Sequence, residues 1–159
     1  MKKLILTFLL TTSLLILVEQ GMAQDRNFGI GAQVTSPAGI SMKGYVSDTG
    51  ALASVFSFNL SENASSFYLH LDYLDHKKYD ELNWEFGTLS YYYGGGLRYI
   101  WREIGIDDSF FAIRLPAGLT AGFSEVPVEF YMEIAPTFEV SPDFNFGFSG
   151  GLGFRFFLN

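Results

Sequence analysis

The stretch FNFGFSGGLGFRFFLN (144–159) decides the fold class. Phenylalanine or leucine recurs at every second position from Phe144 to Phe156, broken only by Gly150, and the residues between them are mostly small or polar. Strict alternation of this kind indicates a β-strand with two different faces. One face is too aromatic to be left in water, whereas the other carries Arg155. The stretch therefore predicts an amphipathic strand whose two faces meet different surroundings.

Seven further segments are strand-like, and no stretch after residue 24 has the pattern of a long amphipathic helix. Connections rich in turn-forming residues separate them, for example TSPAG (35–39) and SPD (141–143). Strands of about ten residues, tilted by about 40°, span about 25 Å, which is the height of the apolar band on an outer-membrane barrel. The sequence predicts an all-β chain of eight antiparallel strands in up-and-down order, at 27–34, 38–47, 51–60, 66–75, 88–99, 109–119, 127–139 and 144–158.

The volume of the apolar side chains indicates which face points inward. A soluble barrel would enclose the apolar face, and a membrane barrel would turn it toward lipid. An eight-stranded barrel has an interior just wide enough to be filled by side chains. The apolar face carries large residues on almost every strand, whereas the opposite face is rich in glycine. We therefore expect a transmembrane barrel with its apolar face against lipid, where closure satisfies every backbone group.

Four basic and four acidic side chains fall on the face predicted to point into the lumen. Because an unpaired charge is strongly disfavoured in a narrow lumen of low dielectric constant, we expect these groups to pair. The register of one hairpin predicts that Arg155 lies near Glu129. The register of another places Arg114 near Glu133. The predicted lumen charges are Lys43, Asp72, Arg98, Arg114, Glu129, Glu133, Glu139 and Arg155, with His70, Tyr92 and Tyr131 as polar neighbours.

The N-terminal residues MKKLILTFLLTTSLLILVEQGMAQ (1–24) have the pattern of a secretory signal peptide. Two lysines precede an apolar run, and small residues stand at Gly21 and Ala23 before the expected cleavage site. The apolar run is shorter than the about 20 residues that a membrane-spanning helix needs. We therefore predict a removed signal peptide at 1–23 and one barrel domain at 24–159.

The predicted mature chain is acidic and contains no cysteine. Cleavage removes Lys2, Lys3 and Glu19 from the 10 basic and 17 acidic residues, which leaves 8 and 16 and a net charge of −8. No basic patch stands out, so we expect no nucleic-acid partner. Without cysteine no disulfide can form, and stability must come from the fold itself.

The segment HLDYLDH (70–76) is the one stretch that looks like a metal site. His70 and Asp72 share a face, but the sequence implies no third ligand, so we expect a hydrogen-bonded pair in the lumen, with neither a metal nor another cofactor. A serine hydrolase would need a serine, a histidine and an acid that converge. The second of the two histidines, His76, falls in a predicted connection, and we expect no enzymatic activity.

Five stretches share the pattern of a known family: FGIGAQVTSPAGISMKGYVS (28–47), FYLHLDYL (67–74), FAIRLPAGL (111–119), VPVEFYMEIAP (126–136) and GGLGFRFF (150–157). On these residues the whole mature chain resembles the small eight-stranded outer-membrane β-barrel proteins of Gram-negative bacteria, of the OmpA/OmpX type.

The resemblance implies an outer-membrane location, with membrane lipid and the barrel-assembly machinery as partners. It also implies that both termini face the periplasm, together with the long connection 76–87. The sequence departs from the family in two ways. It ends in Phe157-Leu158-Asn159 instead of a terminal aromatic residue, and the connections implied to be extracellular are short.

Three functions follow from these expectations. The first is a structural or interaction role through the loops of a barrel whose lumen is filled with charged side chains. The alternatives are a narrow pore for ions or small solutes and, more remotely, a lipid-modifying barrel enzyme. Side chains that fill an eight-stranded lumen argue against a wide pore. The sequence names no ligand.

Overall fold

The protein is all-β over the residues that the computed structural model describes, which are 28–35, 37–61, 64–78, 85–104 and 106–158. Within these residues, no helix is long and apolar enough to cross a bilayer. The predicted signal peptide at 1–23 lies outside them. The nine strands are β1 (Phe28–Gln33), β2 (Gly39–Tyr45), β3 (Gly50–Ser61), β4 (Ala64–Lys78), β5 (Gly87–Ile104), β6 (Ile106–Arg114), β7 (Ala117–Phe123), β8 (Val128–Ser141) and β9 (Asn145–Leu158).

The strands form one antiparallel sheet that closes into a ring. Successive strands pair from β1 to β5, and β8 pairs with β9. The strands β6 and β7 lie between β5 and β8, and β9 returns to pair with β1 from Phe28↔Leu158 to Gln33↔Gly153. The prediction of an all-β, antiparallel chain is confirmed.

The predicted sixth strand, 109–119, is wrong as a single element because it is divided into β6 and β7. Both parts pair with β5 and with β8, and the same register continues from one to the other, so they share one position in the ring. Pro116 explains the interruption because it has no N–H to donate to either ladder. Its carbonyl still accepts a hydrogen bond of 2.9 Å from the Gly94 amide. The ring therefore has nine strands in eight positions.

A path that follows paired residues from strand to strand around the ring does not return to the residue at which it began. A path that starts at Arg155 on β9 returns to β9 at Asn145, ten residues away (155 minus 145). A closed sheet needs such a stagger because its strands tilt against the axis of the ring. The path passes through Gly31, Ser41, Val55, His70, Arg98, Ala112 and Glu139.

The inner and outer faces of the ring differ in chemistry. On β9, Phe154 and Phe156 are exposed, whereas Arg155 between them is buried. The same alternation places large apolar side chains outside on the other strands and buried polar or charged ones inside. The core of the protein is therefore polar as well as apolar, because the strands direct their charged residues toward one another.

The two ends of the ring carry different connections. The end that we call lower holds Phe28, Leu158 and the connections 46–49, 79–86 and 124–127. At the upper end lie Gln33 of β1, Ser61 of β3, Ile104 of β5 and Ser141 of β8. Because β4 continues to residue 78, the long connection predicted at 76–87 is shorter than expected, and it joins β4 to β5 at the lower end.

The β1–β2 hairpin is shorter than the strands on either side of it. Although β9 begins at Asn145, it pairs with β1 only over residues 153–158. Similarly, β3 continues to Ser61 but pairs with β2 only over residues 51–56. We call the space between β9 and β3, beyond the tip of this hairpin at 34–38, the notch.

Candidate functional site: the ion pairs inside the ring

Three glutamates on β8 face the interior at successive levels. Glu129 lies near the lower end of the strand, Glu133 in the middle and Glu139 near the upper end. Each contacts a different arginine, which comes from β9, β6 and β5 respectively. The strand β8 thus supplies one carboxylate to each of the three ion pairs. It can do so because every second residue of a strand points to the same face.

Glu129 holds two cations in the lower part of the interior. Lys43 Nζ donates to both carboxylate oxygens, at 3.0 and 2.8 Å, and Arg155 Nη1 donates at 3.1 Å. Arg155 Nε also donates to Ser41 Oγ at 2.9 Å. All of these residues are buried. Because β1 and β9 separate β2 from β8, the contact of Lys43 with Glu129 crosses the interior.

Arg114 is the centre of the middle level. Its guanidinium contacts the Glu133 carboxylate and Nδ1 of His70, and its Nε lies 3.4 Å from Asp72 Oδ2. The second oxygen of Glu133 accepts a 2.9 Å hydrogen bond from the Tyr92 hydroxyl. One cation therefore faces two carboxylates here, the reverse of the arrangement at Glu129.

The upper pair is the most accessible of the three. Arg98 Nη2 donates to Glu139 Oε1 at 2.6 Å, and Asn145 Nδ2 reaches the other oxygen at 3.4 Å. The Glu139 side chain is 23% exposed, against 6% for the Glu129 and Glu133 side chains. Water therefore reaches this pair more easily than the two below it.

Hydrogen bonding is incomplete only at some of these groups. Within the described part of the chain, both carboxylate oxygens of Asp72 are buried without a hydrogen-bond partner, as are the Nε atoms of Arg114 and Arg98. Asp72 has only longer contacts, with its Oδ2 3.4 Å from Arg114 Nε and 3.5 Å from His70 Nε2. Asp72 is thus held at the middle level by its charge contact with Arg114 and not by hydrogen bonds.

The structure supplies the third potential metal ligand that the sequence does not imply. His70, Asp72 and Glu133 each offer a ligand atom within 4.8 Å of the others. The segment HLDYLDH (70–76) could not reveal Glu133 as a ligand, because Glu133 lies on another strand, β8. However, Arg114 contacts all three residues, so the chain's own guanidinium supplies the positive charge there. This arrangement favours an internal ion cluster over a metal centre.

The predicted polar neighbours all face the interior. The Tyr68 hydroxyl lies 3.0 Å from His70 Nδ1. The Tyr131 hydroxyl donates to Ser41 Oγ at 3.1 Å, and the Arg155 guanidinium carbon lies 3.9 Å from the centre of the Tyr131 ring. Tyr68 and Ser41 were absent from the predicted set, although both stand at inward positions of their strands.

The assignment of His76 to a connection is wrong. The strand β4 continues past it, and the side chain is buried, with Nδ1 3.2 Å from the Thr49 carbonyl oxygen. Its ring lies 5.4 Å from that of Tyr45 and 5.2 Å from that of Tyr92. The even numbering that His76 shares with His70 was the signal that could have revealed its inward position.

Apolar side chains pack against the ion pairs from the β3–β5 side. One cluster contains Ala53, Leu74 and Tyr92. A second, higher cluster contains Val55, Tyr68 and Ile100, with Phe110 against it. Together with the charged groups, these residues supply buried side chains of the interior.

No protein family, curated protein or solved structure matches the chain. Its class is therefore defined by geometry alone. It is an antiparallel all-β ring with a charged interior and an apolar exterior.

Proposed function

We propose that the chain is an outer-membrane β-barrel of the small type that it resembles. This proposal rests on one observation: charged side chains are buried and large apolar ones are exposed, the opposite of a water-soluble protein. Arg114 is 1% exposed, whereas Ile134 is 57% exposed. An apolar exterior of this extent would promote aggregation in water. In a bilayer it would face hydrocarbon, and the closed ring would leave few backbone groups without partners.

The dimensions of the outer face support the same proposal. The apolar row on β9 runs from Phe146 to Phe156. It is about 33 Å long at about 3.3 Å per residue. With a tilt of about 40° it spans about 25 Å, which is the height of the apolar band on known outer-membrane barrels. The ten-residue stagger is the shear that a tilted, closed barrel requires.

We further propose a structural or interaction role, in which a filled barrel presents its connections at the membrane surface. The location is the outer membrane of a Gram-negative bacterium, with membrane lipid and the barrel-assembly machinery as partners. The main support is the packing of the interior, where ion pairs and apolar clusters occupy the space that a solute would need.

The same packing weighs against the two alternatives. A narrow pore needs a continuous water-filled path, and the Arg114 cluster spans from β4 to β8 across the interior. A lipid-modifying enzyme needs a reactive group that faces its substrate. His70 points inward, where Tyr68 and Arg114 contact it. We therefore propose no enzymatic activity.

Refolding into lipid vesicles tests the proposal. The protein should stay with the vesicles, and the unheated sample should migrate differently on a denaturing gel from the boiled sample. In planar bilayers the same protein should give no steady conductance. Recovery of a monomer that stays soluble without detergent would contradict the membrane placement, and regular conductance steps would favour the pore.

A further inference from the structure

The two strands beside the notch have unpaired edges. Leu152 on β9 directs its backbone toward β1, since its carbonyl accepts from the Val34 amide at 2.8 Å and its amide donates to Thr35 Oγ1 at 3.1 Å. Along a strand, the amide and carbonyl groups of every second residue point toward the same neighbouring strand. The amides and carbonyls of Phe148 and Phe146 therefore point into the notch, beyond the last residue of β1.

The opposite side of the notch is built in the same way. The carbonyl of Gly50 accepts from the Val46 amide, so even-numbered residues of β3 direct their backbone toward β2. Residues 58 and 60 follow this pattern but lie beyond the end of β2. Within the described ranges, neither Phe58 nor Phe148 has a backbone hydrogen bond on its notch side.

A side chain already substitutes for the missing strand at the base of the notch. Thr35 Oγ1 accepts from the Leu152 amide and donates to the Gly150 carbonyl at 3.4 Å. These are the two groups that the next residues of β1 would have bonded. Farther along β9, no residue of the short β1–β2 hairpin replaces them in the part of the chain that the structure describes.

The surroundings of the notch make these open edges costly. The side chains of Phe146, Phe148 and Phe58 are at least half exposed on the outer face. Open sheet edges do not occur where they would face hydrocarbon, because each unsatisfied backbone group there costs several kcal/mol. This need for a partner rests on the membrane placement proposed above, whereas the edges themselves do not.

We propose that the notch is a docking site for a β-hairpin of a partner polypeptide, which pairs with β9 on one side and with β3 on the other. The gap is two strand positions wide, because only β1 and β2 separate β9 from β3 in the ring. Added strands satisfy an edge through main-chain hydrogen bonds. The hairpin would carry apolar side chains outward, beside Phe148 and Phe58, and small or polar ones inward, beside Ser149 and Ser57.

Amide hydrogen exchange in lipid nanodiscs tests this site. The probe is a synthetic hairpin that alternates valine and threonine around an Asn-Gly turn. Phe148 and Phe154 form a matched pair, since both lie on the outer face of β9 and only Phe154 has β1 beside it. Without the probe, Phe148 should exchange faster than Phe154 wherever water enters the notch, because its amide has no strand partner there. Free probe at about ten times its Kd should slow exchange at Phe148 and Phe58 by about tenfold and leave Phe154 unchanged.

Two controls separate pairing from adsorption. The same hairpin with methylated amides on its outer edges should give no protection, because it cannot donate hydrogen bonds. The variant Phe148→Pro should lose protection at residue 58, whereas Phe148→Leu, which keeps the amide, should retain it. The proposal would be overturned by equal protection with the methylated probe or by no slowing with the unmodified probe. It would also be overturned if, without any probe and in detergent micelles, Phe148 exchanged as slowly as Phe154. Gel migration of the same sample reports membrane folding separately, and exchange in detergent micelles tests the edges if the bilayer proposal fails.

Discussion

The clusters around Glu129 and around Arg114 use the same kinds of groups in opposite proportions. Glu129 contacts two cations, and each of its contacts is a hydrogen bond of 3.1 Å or less. Arg114 faces two carboxylates, and one of them, Asp72, has no hydrogen bond. Counted as formal charges, the lower cluster has two cations for one carboxylate and the middle one has two carboxylates for one cation. The comparison shows that formal charges in the interior match between levels and not within each level.

Replacement of Glu129 by Gln should have the largest effect on stability. The change keeps the side-chain volume but leaves both Lys43 and Arg155 without a counter-charge in a buried setting. We expect a loss in the free energy of unfolding of at least about 3–5 kcal/mol, the usual cost of breaking a buried pair. Urea unfolding of the vesicle-bound protein measures it. A loss below about 1 kcal/mol would mean that water reaches this cluster and solvates Lys43 and Arg155.

Replacement of Arg114 by Met should cost somewhat less, about 3 kcal/mol. When Arg114 is removed, the carboxyl groups that it contacted can become neutral by taking up a proton. When Glu129 is removed, Arg155 stays charged, because arginine cannot lose its proton. The predicted pair of Arg114 and Glu133 is a group of three in the structure, because Asp72 also contacts Arg114. Arg114→Met with Glu133→Gln should still leave Asp72 uncompensated, and adding Asp72→Asn should recover further stability. Simple additivity of the single changes in a mutant cycle would show that the cluster does not act as a unit.

Replacement of Ile134 by Lys tests the outer face against the inner one. Ile134 is exposed on the apolar exterior, and in a bilayer a lysine there should cost about 2–4 kcal/mol near the midplane. Thr137, three residues along β8, is buried inside, where Thr137→Ser should be tolerated. The same unfolding measurement applies to both variants. A small loss for Ile134→Lys would indicate that this face meets water.

Replacement of Glu139 by Gln should have the smallest effect, at most about 1 kcal/mol. The Glu139 side chain is 23% exposed, although that of Arg98 is only 9% exposed, so water can solvate the guanidinium from the Glu139 side once the carboxylate is removed. Added salt should reduce the effect further, whereas salt should change the Glu129 result little. Unfolding in low and high salt makes this comparison. A large, salt-independent loss would place Glu139 with the buried clusters.

The pairings between neighbouring strands could be predicted from the sequence. Arg155 lies beside Glu129 because the two are register partners in the β8–β9 hairpin. Arg114 has Thr137 as its register partner and reaches Glu133 on the same neighbouring strand along a diagonal. The contact of Lys43 with Glu129 could not be predicted in this way. It depends on how the ring closes and by how much its strands are staggered, and neither quantity is visible in local alternation.

The alternation of apolar and polar residues also could not predict where strands end. Alternation continues through His76, so the boundary of β4 could not be located by parity, and the histidine was misplaced in a connection. The break at Pro116 is different in kind. Proline there was visible in the sequence, but the apolar alternation around it was regular enough to suggest a single strand.

The bond between Lys43 and Glu129 has a consequence for how the chain reaches its final state. It joins residues 86 positions apart, and the strands that carry them become neighbours across the ring only after β9 has met β1. Contacts of such long range form slowly, because the entropy of closing the loop is lost before the contact stabilises anything. A half-built sheet already in lipid would hold a bare ammonium group in hydrocarbon, at a cost of about 3 kcal/mol. On the membrane placement proposed above, the favoured order of events brings the strands together first, and burial in the bilayer accompanies or follows closure.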